Sequence, residues 1–235
     1  GWDMVDNDAL ADDDEFPNGS FSHGTHVGST ISMLNDGIDG NGMAARVTPI
    51  RVCGGSGCPG SATYGAYLYL NGDDNDSLTT FAQRSAGQKL HSVNMSYGGS
   101  GGSATSSACV KLGELAEKGV LIASSSGNSG IGSVGWPSSC PRVYSVGATN
   151  GTDRRSSYSS TNEYVAFSAP GGEYSDWNAD GIDDLVYAYA RDDSYVQTSN
   201  NGNPLIGAQG TSMASPHGAG SVSYTHLTLP TTEAV

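Results

Sequence analysis

Basic residues are scarce in this chain. Its 235 residues carry 10 Lys+Arg against 24 Asp+Glu, a net charge of −14. Phosphate recognition needs clustered positive charge, so this balance argues against a nucleic-acid partner or an anionic membrane. No apolar run approaches the ~18–20 residues of a membrane helix. There are no internal repeats, no GxxxxGK[ST] phosphate loop and no HExxH zinc motif. The four cysteines lack zinc-site spacing. Apolar residues nevertheless make up 36% and charged residues only 14%. Val, Ile, Leu and Tyr recur in strand-like and helix-like runs, which excludes a disordered acidic tail. The length suits one sizeable domain or two small ones. The acid points to cations or to a salt-rich medium.

The two ends differ in texture from the rest. Gly1 opens without an initiator Met or a leader segment, and the chain is expected to be a piece of a longer protein. From Val222 to Thr231 it resembles the translation of an adapter used in sequencing libraries. Residues 221–235 are therefore set aside as an artefactual tail, and residues 1–220 are read as the folded domain.

Along those residues, Asp3–Glu15 is an acidic run with loop character. Ser22–Asn35 enters a helix. Strands are expected at 46–53, 90–97, 120–124, 142–148, 164–168, 185–189 and 195–198, and helices at 61–70, 78–86 and 103–118. Strands alternating with helices indicate an α/β fold with a parallel sheet. Ligands of such sheets sit beyond the carboxyl ends of the strands, so the loops after strands are the ones to search.

Two matches there are weak. Gly55-Ser-Gly57-Cys-Pro-Gly60 has the GxGxxG form, but Asp73 and Asp74 come too early for the acid of a dinucleotide site. Gly98-Gly-Ser100-Gly-Gly102 has the GxSxG form, as a Gly- and Ser-rich chain gives by accident. Three other segments belong together: Ser22-His23-Gly24-Thr25-His26, Ser124-Ser-Ser-Gly127-Asn128-Ser129-Gly130, and Gly210-Thr211-Ser212-Met213-Ala214-Ser215-Pro216-His217. In this order they resemble the subtilisin-like serine proteases. The resemblance runs from Gly1 to Gly220 and extends to Asn94-Met-Ser-Tyr-Gly-Gly99, Gly135-Trp-Pro-Ser-Ser-Cys140 and Ala169-Pro-Gly-Gly172.

The resemblance implies a three-layer α/β fold with a mainly parallel central sheet and helices on both faces, here truncated at both ends. It implies a serine endopeptidase that works through an acyl-enzyme. A serine hydroxyl needs a base to become a nucleophile. Ser212 would be that nucleophile, at a helix start where negative charge is stabilised, and His23 its base. Asn128 and the Ser212 N–H would hold the oxyanion. Ser96, Tyr97 and Gly98 would form one wall of the specificity cleft, and Ser125, Ser126 and Gly127 the other. His26 is expected to be structural. The family's orienting Asp sits in an Asp-Ser/Thr-Gly run on a strand well before the His, and nothing before His23 has that form. That Asp is expected upstream of Gly1, leaving this piece nearly inactive. Two other readings stay open: a catalytically dead, calcium-binding module of the same fold, and an esterase-type α/β hydrolase using Ser100.

Asp176, Asn178 and Asp180, with the Ile182 carbonyl and Asp184, have the spacing of a calcium loop with Gly181 at its bend. Asp36, in Leu34–Gly40, resembles part of a second family site. Calcium is therefore the expected cofactor. Four cysteines allow three pairings, of which 53–58 with 109–140 is preferred. Their even number fits an oxidising, secreted setting. Polypeptides are the expected substrates, and a monomer is the expected state.

Overall fold

The computed structural model describes residues 1–12, 21–34, 42–43, 45–73, 90–99, 102–132, 134–161, 163–190, 197–198 and 204–228. Its centre is a four-stranded, wholly parallel sheet of β3 (Ser92–Met95), β4 (Leu121–Ser125), β5 (Tyr144–Thr149) and β6 (Val165–Pro170), in that order. Successive side chains of a strand point to opposite faces, and β4 separates two cores in this way. Ile122 joins Tyr67, Met95, Leu112 and Leu115 on one face. Those residues bring in α2 (Gly60–Asn71) and α3 (Ser107–Glu117). Ala123 joins Val146, Ala148, Ala214 and Ala219 on the other. There α4 (Thr211–Thr228) lies against the sheet, and α1 (His23–Ser32) packs on α4. The alanines let α4 approach closely; a Cβ on Gly218 would meet the Phe167 ring at 2.8 Å. This is the three-layer α/β arrangement expected.

The ends of α3 follow local rules. Ser106 caps its N-terminus by accepting from Cys109 N at 3.3 Å, and Gly119 follows it with φ of +83°. Cys53–Cys58 and Cys109–Cys140 are both disulfide-bonded, as preferred from the sequence. The expected helix at 78–86 lies outside the described residues.

Three elements differ from the expectations. The acidic run begins as a strand, not a loop: β1 (Trp2–Asp3) pairs in parallel with β2 (Ile50–Arg51), all that remains of the strand expected at 46–53. A strand went unforeseen at β9 (Pro204–Ala208), the centre of an antiparallel sheet with β7 (Val186–Tyr189) and β8 (Gln197–Thr198). Pro204 and Gly207 disguise it; Pro is tolerated at the first residue of a strand. Helix α4 continues past Gly220 to Thr228. Among the described residues, no helix is long and apolar enough to cross a membrane.

Pairing of β1 with β2 rests on a buried ion pair. Arg51 reaches Asp3 and Asp6 at 2.6 Å each, and the Asp3 and Arg51 side chains are only 1% and 8% exposed. The other Asp3 oxygen accepts from the backbone N–H of Val5 and Asp6, at 2.7 and 2.9 Å. Burial alone would raise the Asp3 pKa, but these hydrogen bonds and the guanidinium together hold it below the usual carboxylate value. The pair therefore stabilises the fold above about pH 4, and its contribution fades as the pH falls through the lower folded-state value. Removing one partner of such a pair strands the other charge. Arg51→Met is expected to cost about 3–5 kcal/mol at neutral pH, read as a lowered urea midpoint.

Candidate active site

The carboxyl ends of β3 and β4 meet the start of α4. Gly210 opens this corner: its N–H donates to Gly171 O at 2.9 Å, and its φ of +153° suits glycine. A Cβ at Gly210 would lie 3.5 Å from Asn128 Nδ2 and 3.6 Å from Ser212 N. Met213 Sδ lies as near, at 3.5 Å, so two N–H donors and a thioether surround the Cβ position that glycine leaves unfilled. Asn128 is aimed by its other atom: Oδ1 accepts from Thr211 N at 2.9 Å and Thr211 Oγ1 at 3.0 Å. Thr211 Oγ1 also accepts from Gly127 N at 3.1 Å. One threonine therefore ties the loop after β4 to the first turn of α4.

Ser212 is half-buried. Its hydroxyl donates to Ser96 O at 3.3 Å, and Ser96 Oγ donates to Ser212 O at 2.7 Å. Ser96, Tyr97 and Gly98 continue directly from β3. Gly99 exchanges backbone hydrogen bonds with Trp136, at 2.9 and 3.0 Å. Tyr97 is paired behind that turn with Tyr67, hydroxyl to hydroxyl at 2.8 Å. Burial pushes the Tyr67 phenol up to about 12 and that of Tyr97 well above its ordinary value. Beside Trp136 opens a cavity of about 480 Å³, lined also by Tyr64, Ser106 and Ala108.

Of the opposite wall, Ser125 and Ser126 are buried. Ser126 Oγ donates to Ser160 O at 2.8 Å. Gly127 spends its N–H on Thr211 Oγ1 and its carbonyl on Ser160 N. Its φ is +106°.

His23 is the exposed first residue of α1, with its ring centroid 6.1 Å from that of Phe21. One helical turn on, Val27 packs in one cluster with Met213, the neighbour of Ser212. The His23 and Ser212 helices therefore touch near their first turns. His26 is fully buried, with Nε2 3.1 Å from Val186 O and 2.9 Å from Ile206 O, and nothing paired to Nδ1. It pins α1 to β7 and β9. Burial first, with His23 and His217 adding repulsion, lowers its pKa from 6.5 to about 4 against the two carbonyls.

The sequence matches the Subtilase family over residues 2–230. The chain belongs to the subtilase family. Alkaline elastase YaB of a Bacillus strain is 32% identical over 200 residues, 84% of this chain and 43% of that protein. Subtilisin Savinase of Lederbergia lenta is 30% identical, over 84% of this chain and 60% of its own length. The chain thus spans about half the length of these relatives. Among solved structures, proteases from Pseudoalteromonas arctica superpose with a TM-score of 0.72 at 27% identity, over 89% of this chain and 60% of that one. A cold-adapted subtilisin-like serine proteinase gives 0.64 at 28%, over 97% and 67%.

Other expectations for this subtilase fare unequally. In the loop 176–184, Asp176 accepts from Asp180 N and Gly181 N, and Asn178 Oδ1 from Asp180 N. Asp180 accepts from Ile182 N. These three side chains line one tight turn. Asp184 is tied to the same loop, its Oδ2 accepting from Trp177 N at 2.8 Å, and its side chain lies beside Gly151. Among the described residues, no cluster of three or more His, Cys, Asp or Glu has metal-holding geometry. Asp36 and Ser100 lie outside the described residues. Sequence reasoning gave no role to Thr211, Asn94 or Ser215. Each lay inside a quoted motif, but a side chain's partner across the sheet is not written in its own segment.

A pH test follows from His26. The folded state disfavours its proton, so the unfolded chain binds more protons between about pH 6.5 and pH 4. Stability is expected to fall as pH drops through that window. His26→Gln should flatten this part of the urea-midpoint profile, leaving the smaller slope of His217, whose pKa burial also lowers.

Proposed function

We propose that this chain carries the catalytic centre of a secreted serine endopeptidase acting on polypeptides. The observation behind the reading is the approach of Asn128 Nδ2 and Ser212 N to the Cβ position that Gly210 leaves unfilled. Two fixed donors beside a serine hydroxyl suit the oxyanion of acyl transfer. Ser212 Oγ leaves the Ser96 carbonyl and attacks the substrate carbonyl carbon, passing its proton to His23. The oxyanion is held by Asn128 and the Ser212 N–H. The C–N bond breaks as His23 protonates the leaving amine, and water then releases the acyl group by the same route. Substrate backbone lies along Ser96–Gly98, and the cavity beside Trp136 takes one of its side chains. Ser125, Ser126 and Gly127 shape the opposite wall without supplying Gly127's own hydrogen bonds, which are already used.

The carboxylate that orients His23 is not Asp3, whose oxygens are engaged by Arg51 and two backbone N–H groups. A triad with its Asp made neutral loses about 10⁴ in kcat, so a chain in which no carboxylate reaches His23 is expected to turn over slowly. Secretion accords with the two disulfides and with a relative named an extracellular protease in Xanthomonas campestris. A monomer is part of the proposal.

A fluorophosphonate probe tests the reading. Modification is expected at Ser212 in an N-terminally extended chain; modification at Ser100 would mark an esterase, and none at all an inactive module. Asn128→Ala is expected to lower kcat by about 10²–10³, a magnitude itself measured on a subtilisin.

Calcium in the 176–184 turn is part of the proposal, with Asp176, Asn178, Asp180, the Ile182 carbonyl and Asp184. Their oxygens suit a hard cation, which would offset the repulsion of the acidic loop. Calcium is expected to raise the melting temperature, and Asp180→Asn to remove that increment with no change in the calcium-free value.

A further inference from the structure

Pro216 stands four residues after Ser212, inside α4. A helical carbonyl is normally met by the N–H four residues on. Proline has none, and its ring crowds that same carbonyl. The nucleophile's own carbonyl is therefore the one that α4 leaves unserved. It is served from another element: Ser96 Oγ donates to it at 2.7 Å.

That hydroxyl is itself directed. Ser215 Oγ donates to Asn94 Oδ1 at 2.6 Å, and Asn94 Nδ2 donates to Ser96 Oγ at 3.0 Å. With one lone pair accepting from Asn94, the Ser96 hydroxyl gives its single hydrogen to Ser212 O. Ser215 is fully buried, and it lies on the same helical turn as Ser212, three residues on. The bonds thus run from α4 to β3 and back to α4, each link with its donor and acceptor assigned.

We propose that Ser215, Asn94 and Ser96 are positioning residues that replace the helical hydrogen bond lost at Pro216 and thereby fix Ser212 over the oxyanion site. The relay acts on the backbone of the nucleophile, so it sets where Oγ stands before substrate arrives. The inference rests on the proposed role of Ser212 for its catalytic meaning, but its structural half stands independently.

A double-mutant cycle tests it. The variants are Ser96→Ala, Pro216→Ala and both together, with the rate of fluorophosphonate labelling at Ser212 and the melting temperature as readouts. A carbonyl inside the fold that loses its hydrogen bond is destabilising, so Ser96→Ala is expected to slow labelling about tenfold and lower the melting temperature. Pro216→Ala supplies the missing N–H, and in the double variant most of both losses should return. Asn94→Leu should reproduce part of the Ser96→Ala loss, again rescued by Pro216→Ala. Equal losses in the Pro and Ala backgrounds would overturn the proposal, as would a Ser96→Ala variant that labels at the parent rate. If the parent chain does not label at Ser212, the enzyme reading fails. The rescue of melting temperature then still decides whether the relay exists.

Discussion

The first turn of α4 is fastened where two parallel strands end, and the site's chemistry depends on that fastening. Thr211 receives Gly127 N and reaches Asn128; Ser96 reaches Ser212. Each contact joins residues more than eighty positions apart. A parallel sheet brings its strand ends to one edge, and a helix packed along its face can present its N-terminus there. Dipole, open glycine and side-chain donors then coincide. The alanine face of α4 is what allows the helix to lie close enough for hydrogen bonds of 2.7–3.3 Å.

Helix α1, which carries His23, is held by a different means. Its anchor is a buried neutral imidazole bonded to carbonyls of two antiparallel strands. A neutral anchor keeps the anchoring independent of salt but ties it to pH. The β1–β2 pair makes the opposite choice, with a buried guanidinium between two carboxylates. In a chain so poor in cations, Arg51 is one of the few groups able to neutralise the N-terminal acid from within.

Acid elsewhere is arranged locally. The 176–184 turn uses its carboxylates and amide to satisfy its own backbone N–H groups. Asp184 is bound into the same loop through Trp177 N.

The sequence alone determined the fold class, the strand–helix alternation and the segments that hold Ser212, Asn128 and His23, and it left three cysteine pairings among which the tertiary structure decided. Those are legible because periodicity, glycine placement and short motifs are local properties. The small strands β1 and β9 were not legible, because two residues in an acidic run, or a strand begun by proline, carry too little local signal and exist only through their partners. Tertiary structure alone decided that Asp3 belongs to Arg51 and that the Ser212 carbonyl finds Ser96. In both cases the deciding quantity is a hydrogen bond to a polar group inside the fold. Such a group must be satisfied by whatever folding brings near it, and that neighbour is set by packing, not by position along the chain.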